Sequence, residues 1–283
     1  MTANPPAVAT TVYDLRHRIA AWRSAGEAVA LVPTMGALHE GHLSLVRLGR
    51  SRARRTVTSI FVNPAQFAPT EDFSTYPRTF EDDLAKLASV GCDLVWAPMP
   101  KEMYPDGFAT RVVPTGAAEG LETDFRPHFF GGVATVCCKL FTQSGADFAA
   151  FGEKDYQQLC VIRQMVRDLD LPIEILPGPT VREADGLAMS SRNRYLTPNE
   201  RARAVVIHDV VVKVAQAART GTHAQAIADG AAALASAGFG SVDYIAVRDA
   251  ETLKDWSVAS GRPGRVLIAA WLGKTRLIDN VAV

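Results

Sequence analysis

Two histidines three residues apart, His39 and His42, end a turn that starts at Pro33 and contains Gly36 and Gly41. An apolar run, 28–32, precedes the turn, and a helix-like run beginning His42-Leu43-Ser44-Leu45-Val46 follows it. The first amides of a helix have no intrahelical acceptor and carry partial positive charge, so a strand–glycine–helix junction can seat a phosphate. Imidazoles placed there can donate hydrogen bonds to phosphate oxygens as charge develops on them. Three further polar strings follow apolar runs: Asn63-Pro64-Ala65-Gln66, Gly152-Glu153-Lys154-Asp155, and 181–192, which ends Met189-Ser190-Ser191-Arg192. Ammonium, guanidinium and hydroxyl groups are the donors that phosphoryl oxygens need.

Each of these residues also has a plainer reading. The histidines could simply cap a helix. They do not form the His-Glu-x-x-His of a zinc protease, and no Cys/His cluster has zinc spacing. Lys154 could be a surface lysine, Gln66 a loop residue bonded to its own backbone, and Gln158 a solvated helix position. Ser190-Ser191-Arg192 could be a polar turn, and Asp82 an ordinary helix cap. Placement separates the two sets of readings.

Five short apolar runs read as strands, at 28–32, 56–62, 93–97, 147–151 and 173–176, with amphipathic stretches between them. In the stretch 79–90, Leu84, Leu87 and Ala88 share one face, and Thr79 with Asp82 resembles a capping box. Such alternation predicts an α/β fold with a parallel sheet covered on both faces. All four polar strings then lie beyond the carboxyl ends of strands, where open α/β sheets bind ligands. A Gly-rich segment, 116–132, reads as a mobile lid. From 184 onward the pattern changes. Thr197-Pro198-Asn199-Glu200 is a capping box with proline at the first helical position, and two Ala/Val-rich helices extend to about 237. Alternating strands at 242–247, 266–272 and 277–283 follow, with Gly273-Lys274 as a hairpin turn. The expected division is residues 1–183 and a smaller α+β domain, 184–283.

With 283 residues the chain can bury a large core. Its 30 basic and 30 acidic side chains cancel, which argues against nucleic acid as a partner. Arg47, Arg50, Arg52, Arg54 and Arg55 form a local basic cluster, read as a solvated helix end that could also concentrate an anionic substrate. Cys92, Cys137, Cys138 and Cys160 form no C-x-x-C pair, as expected of a reduced cytoplasmic protein. The first ten residues lack a secretory pattern, and no apolar stretch has membrane-spanning length.

Four strings taken together, PTMGALHEGH (33–42), FVNPAQF (61–67), FGEKDYQQL (151–159) and AMSSRN (188–193), resemble the pantothenate synthetase family. The similarity runs from about Val29 to the C-terminus. This family belongs to a nucleotidyltransferase superfamily marked by His-x-Gly-His and a mobile Met-Ser loop. The resemblance implies a Rossmann-like doubly wound sheet and an ATP-dependent ligation of pantoate to β-alanine through pantoyl adenylate, releasing pyrophosphate and AMP, in a homodimer. It implies ATP contacts by Met35, Gly36, Ala37, Leu38, His39, Glu40, Gly41 and His42, and by Gly152, Glu153, Lys154, Asp155, Val181, Met189, Ser190, Ser191 and Arg192. Gln66 would contact pantoate and β-alanine, and Gln158 pantoate. An amide suits a hydroxy acid because it both donates and accepts. His42, His39, Lys154, Ser190, Ser191 and Arg192 would carry the chemistry, with Mg²⁺ as cofactor and Asp82 and Asp83 as candidate Mg²⁺ contacts. The segment Phe61-Val62 is a candidate dimer surface. The chain departs from the family at 125–132, where many relatives have a residue between Pro127 and His128, so the roles of Arg126 and His128 stay open. Competing readings are another adenylyl- or cytidylyltransferase of the superfamily, an aminoacyl-tRNA synthetase, and a non-catalytic nucleotide-binding regulator.

Overall fold

The computed structural model describes residues 5–68 and 73–283, so the first four of the ten residues read for a leader lie outside the description. Six parallel strands form the main sheet: β1 (Ala7–Ala9), β2 (Val29–Thr34), β3 (Arg55–Ile60), β4 (Leu94–Trp96), β5 (Phe148–Gly152) and β6 (Glu174–Gly178). Their spatial order is β1-β4-β3-β2-β5-β6. The first four residues of β2 are all buried, because helices cover both faces of a parallel sheet. Those helices include α1 (Val12–Ser24), α2 (Glu40–Arg52), α3 (Phe80–Ser89), α4 (Pro100–Met103), α5 (Glu122–Phe125), α6 (Phe129–Ser144) and α7 (Tyr156–Asp168). The five expected strands are present with ends shifted by at most two residues. β1 is the additional strand, three residues long and paired only with β4.

The strand order reverses between β2 and β5, which makes this the switch point of the sheet. β2 and β5 pair only at Ala30–Phe148 and Leu31–Ala149, although β2 runs on to Thr34 and β5 to Gly152. The strands therefore splay toward their carboxyl ends, and a crevice opens between the segments that follow them. β2 tolerates Pro33 because pairing with β5 has already stopped there, so the missing amide interrupts no bond on that side.

Beyond β6 come α8 (Pro198–Ala204), α9 (Val206–Ala218) and α10 (His223–Ser236), then an antiparallel sheet of β7 (Phe239–Asp249), β8 (Gly264–Leu272) and β9 (Thr275–Ala282). The Thr197/Glu200 capping box forms as expected, and Gly273-Lys274 joins β8 to β9 where Leu272 faces Thr275. Leu187, Ile207, Val211, Leu234 and Ile268 lie in the core under this sheet, while Ala246 and Leu267 from its strands join the core of the main sheet. The two sheets are thus bound through shared apolar packing.

Several expectations are corrected. Segment 116–132, expected as a lid, is packed along part of its length: Ala117, Ala118, Leu121 and Glu122 are buried, and α6 begins at Phe129. Gly132 lies in its first turn, where a Cβ would sit 2.2 Å from the Ala65 carbonyl oxygen. Within the candidate dimer segment Phe61 belongs to the main core and is 6% exposed, whereas Val62 is half-buried and the neighbouring Pro64 and Ala65 are exposed. The Thr79/Asp82 capping box does not form; Thr79 Oγ1 donates instead to Asp83. Of the arginine cluster, Arg50, Arg52, Arg54 and Arg55 lie at the rim where strands begin, while Arg47 reaches back along α2 to Glu40 beside His39. Arg52 pairs with Glu174, and Arg55 pairs with Glu27 and Asp93. The pairs made by Arg52 and Arg55 are structural ties at the end of the sheet away from the crevice.

All four cysteines are free, and burial pushes the Cys137 thiol up to about 12 and the Cys160 thiol to about 11, as befits small packed hydrophobes. Among the described residues, no helix is long and apolar enough to cross a membrane.

Candidate active site

A cavity of about 790 Å³ fills the crevice, walled by the segments after β2, β3, β5 and β6 and by β7 to β9. Of the residues expected to act, Met35, His39, Gly41, His42, Gln66, Gly152, Lys154, Asp155, Gln158, Val181, Met189, Ser190, Ser191 and Arg192 all line it. Gly36, Ala37, Leu38, Glu40 and Glu153 do not. The first three are buried behind the wall, Glu40 is turned to solvent and pairs with Arg47, and Glu153 pairs with Arg265.

The His-x-Gly-His turn is built differently from the expectation of open backbone amides. The amides of Ala37 and Leu38 donate to Asp83, at 2.9 and 2.8 Å, and that of Gly41 donates to His39 Nδ1 at 3.2 Å. The His39 amide donates to His42 Nδ1 at 3.3 Å, closing a reciprocal cap on α2. These four amides are satisfied within the protein. Both Nδ1 atoms accept, so each neutral ring carries its proton on Nε2. Burial, reinforced by the Lys154 ammonium, lowers the His39 pKa to about 4; burial, the neighbouring His39 and Lys154 hold His42 well below its ordinary value. The rings lie 4.1 Å apart. Chemically the pair is two uncharged, fixed N–H donors. Gly41 is required between them, since a Cβ there would lie 2.9 Å from the His39 ring.

Lys154 enters from the short 3-10 turn after β5, held by the last strand of the chain. Asn280, 2% exposed, donates its side-chain amide to the Glu153 and Lys154 carbonyls at 2.9 and 2.8 Å. Its neighbour Asp279 grips Arg182 through two bonds, 2.8 and 2.9 Å, and also meets His208 at 3.2 Å. Arg182 anchors the 181–192 loop, which folds back where Met189 N donates to the Val181 carbonyl. Ser190 caps the turn after it, Ser191 lies 3.2 Å from the Tyr76 hydroxyl, and the Arg192 guanidinium lies over the Tyr76 ring.

At the other end of the cavity Gln66 is oriented by Asn63, whose amide donates to Gln66 Oε1 at 2.9 Å. Asn63 is itself held by Tyr104 and by the Gly132 carbonyl. Buried Glu122 accepts from Arg126 and from Arg276 of β9, tying the two sheets together beside Gln66. Arg126 also donates to the Gln66 carbonyl and lines the cavity, whereas His128 is exposed and does not line it.

The expected Mg²⁺ contacts on α3 do not fit a metal. Asp83 is 1% exposed with both oxygens already accepting from backbone amides, and Asp82 is exposed and outside the cavity wall. Among the described residues, no group of three acidic, histidine or cysteine side chains could hold a metal ion.

Sequence reasoning missed Asp83 as a brace, Lys86, Arg182, Asp279 and Asn280. Only the last pair leaves a signal. Consecutive polar residues in an alternating strand force one of them inward, and both Asp279 and Asn280 are buried.

A doubly wound parallel sheet with a histidine turn and a lysine turn at its switch point, closed by a Ser-Arg loop, defines a nucleotide-handling α/β enzyme. The family model described as pantoate-beta-alanine ligase matches residues 7–282, so the chain belongs to that family. A pantothenate synthetase of Caulobacter vibrioides is 55% identical over 98% of this chain and 99% of its own. Pantothenate synthetase 2 of Bradyrhizobium diazoefficiens is 57% identical over 98% and 99%. The crystal structure of pantothenate synthetase from Thermus thermophilus superposes with a TM-score of 0.89 at 44% identity, covering 97% of this chain and 98% of that one. A pantoate-beta-alanine ligase from Francisella tularensis, solved in complex with beta-gamma ATP and β-alanine, gives 0.82 at 32% identity, covering 98% and 97%.

Proposed function

We propose that this chain joins (R)-pantoate to β-alanine at the expense of ATP, through pantoyl adenylate. The observation that carries the reading is one cavity lined both by phosphate donors (His39, His42, Lys154, Ser190, Ser191 and Arg192) and by the amides Gln66 and Gln158. In the first step a pantoate carboxylate oxygen attacks the α-phosphorus, and the bond to the bridging oxygen breaks as pyrophosphate leaves. The attacking group is already ionised at neutral pH, with carboxyl pKa values near 4, so no general base is required. Alignment and relief of negative charge are what the step demands.

The two imidazole Nε2–H groups donate without adding charge, and Lys154 and Arg192 neutralise the departing phosphates. In the second step the β-alanine ammonium gives up a proton to solvent, the free amine attacks the acyl carbon, the carbon–oxygen bond to phosphate breaks, AMP leaves, and the nitrogen releases a second proton. Gln66, oriented by Asn63, stands where it can hold pantoate and then the amine substrate; Gln158 holds pantoate. Mg²⁺ would supply further relief of negative charge on the triphosphate, and Asp82 and Asp83 of α3 do not fit it as ligands. Arg126 and Arg276 are both engaged with Glu122, which suits a small acid better than a phosphate-bearing acceptor. The four free cysteines, three of them buried, support a cytoplasmic setting, and a homodimer is part of the proposal.

Purified protein with ATP, Mg²⁺ and pantoate should release pyrophosphate, and added β-alanine should yield AMP and amide in equal amounts. Pyrophosphate release indifferent to pantoate would rule the ligase reading out.

A further inference from the structure

We propose that Asp83 and Lys86 of α3 are positioning residues for adenylate formation, a pair that clamps the 36–38 turn from beneath and fixes where His39 and His42 point, with no metal at this carboxylate. The proposal rests on the ligase reading only for its catalytic readout.

The turn needs such a clamp. Gly36 and Ala37 both have positive φ, +84° and +52°, a conformation in which an alanine Cβ is strained. Successive left-handed residues turn the Ala37 and Leu38 amides away from α2, so neither can join its hydrogen bonds. Asp83 takes both, one on each carboxylate oxygen, and accepts a third bond from Thr79 Oγ1 at 3.3 Å. One helical turn along the same face of α3, Lys86 Nζ donates to the Leu38 carbonyl at 2.9 Å. Carboxylate and ammonium thus hold both faces of the peptide units between Ala37 and His39, the residue that caps α2.

These bonds span 45 to 48 positions in sequence, whereas an aspartate in the first turn of a helix ordinarily serves its own helix end. His39 and His42 are held in turn by the His39 and Gly41 amides, which follow directly on the clamped Leu38. A misplacement of about 1 Å at a phosphate donor can cost about a hundredfold in rate. The lysine also brings positive charge to the rear of the site without occupying the cavity, since neither Asp83 nor Lys86 lines it.

Four variants test this in the full-length protein: Asp83→Asn, Lys86→Met, Lys86→Arg and Asp82→Asn. Pantoate-dependent pyrophosphate release, its Mg²⁺ dependence and amide hydrogen exchange at Ala37 and Leu38 are measured in each. Asp83→Asn and Lys86→Met are expected to lower kcat at least tenfold with pantoate KM within about twofold. Half-saturating Mg²⁺ should stay unchanged, and at least one of the two amides should exchange much faster in Asp83→Asn. Lys86→Arg, which can still donate to the Leu38 carbonyl, should recover most of kcat, and Asp82→Asn should match the parent. Wild-type kcat in Lys86→Met, or activity of Asp83→Asn restored by excess Mg²⁺, would overturn the proposal. If the parent protein releases no pantoate-dependent pyrophosphate, the ligase reading fails. Hydrogen exchange then decides the clamp alone: rapid exchange at Ala37 and Leu38 in the parent would sink it.

Discussion

Asn280 on the last strand and Lys154 at the switch point are joined by a 2.8 Å hydrogen bond from the asparagine amide to the lysine carbonyl. The same amide holds the Glu153 carbonyl, and Asn280 Oδ1 accepts from Arg265 at 2.7 Å, so the asparagine is orientated from both ends. The antiparallel sheet therefore fixes the backbone of a turn belonging to the parallel sheet, and with it the base of the Lys154 ammonium.

Replacing Asn280 by alanine would leave two carbonyls in a buried setting without their donor. Each orphaned polar group costs about 1–3 kcal/mol, softened where water can enter the space vacated by the amide. The expected outcome is a loss of about 2 kcal/mol in urea unfolding, with at least a tenfold fall in adenylate formation. Stopped-flow pyrophosphate release and equilibrium unfolding measure the two separately. A variant that loses stability but retains full kcat would make Asn280 purely structural.

His42→Ala removes a donor that carries no formal charge. Loss of one such preorganised donor costs roughly 3 kcal/mol, or about a hundredfold in rate. Because the imidazole is neutral, ATP affinity in the ground state should change much less than kcat. Pantoate-dependent pyrophosphate–ATP exchange reads the rate, and nucleotide titration reads the affinity. Equal losses in both would mean that His42 binds the ground state and has no special part in the transition state.

Much of this arrangement was legible in the residues. Continuous apolar runs gave β2 to β6 because strands covered on both faces need no alternation, and the polar strings after them converge on one crevice. The spacing His39-x-Gly41-His42 pointed to phosphate, yet not to the way it would be met. Whether the turn's amides face a ligand or Asp83 depends on α3, more than 40 residues away, and no local pattern reports that contact. Asp82 and Asp83 are identical letters in one helical turn, one exposed and one buried; only packing distinguishes them. Segment 116–132 reads as a lid because of its glycines, but Gly132 is there to let Ala65 approach, a constraint on distance rather than on mobility.

Arg182 and Asp279 form the other long-range tie. The Asp279 side chain is fully buried, and removing Arg182 leaves it with His208 as its remaining side-chain partner. Breaking a buried pair from one side costs about 3–5 kcal/mol, whereas replacing both partners by apolar groups can be nearly neutral. Arg182→Met should therefore destabilise strongly, and adding Asp279→Leu should recover much of the loss. The 181–192 loop, no longer anchored, should show a raised KM for ATP in both variants. Urea midpoints for the single and double variants check the first statement, and initial rates against ATP check the second.

The neutrality of His39 gives a pH dependence with a definite sign. Burial, with Lys154 and then Arg194 and Lys86 against the opposing Asp155, lowers its folded pKa from 6.5 to about 4. As pH falls below 6.5 the unfolded chain takes up a proton that the folded chain refuses until about 4. Across that window the unfolded state binds more protons, so stability falls as the solution is acidified; above it no penalty applies. Asparagine at 39 would keep a cap acceptor for the Gly41 amide and has nothing to titrate. His39→Asn should therefore gain on the parent as pH drops from 7.5 to 4.5, by roughly 1–3 kcal/mol at about 1.4 kcal/mol per pKa unit. Urea unfolding of both proteins at several pH values tests this. Stability curves that stay parallel would mean that His39 titrates in the folded protein as it does in the unfolded chain, and burial would then not be what holds the ring uncharged in acid.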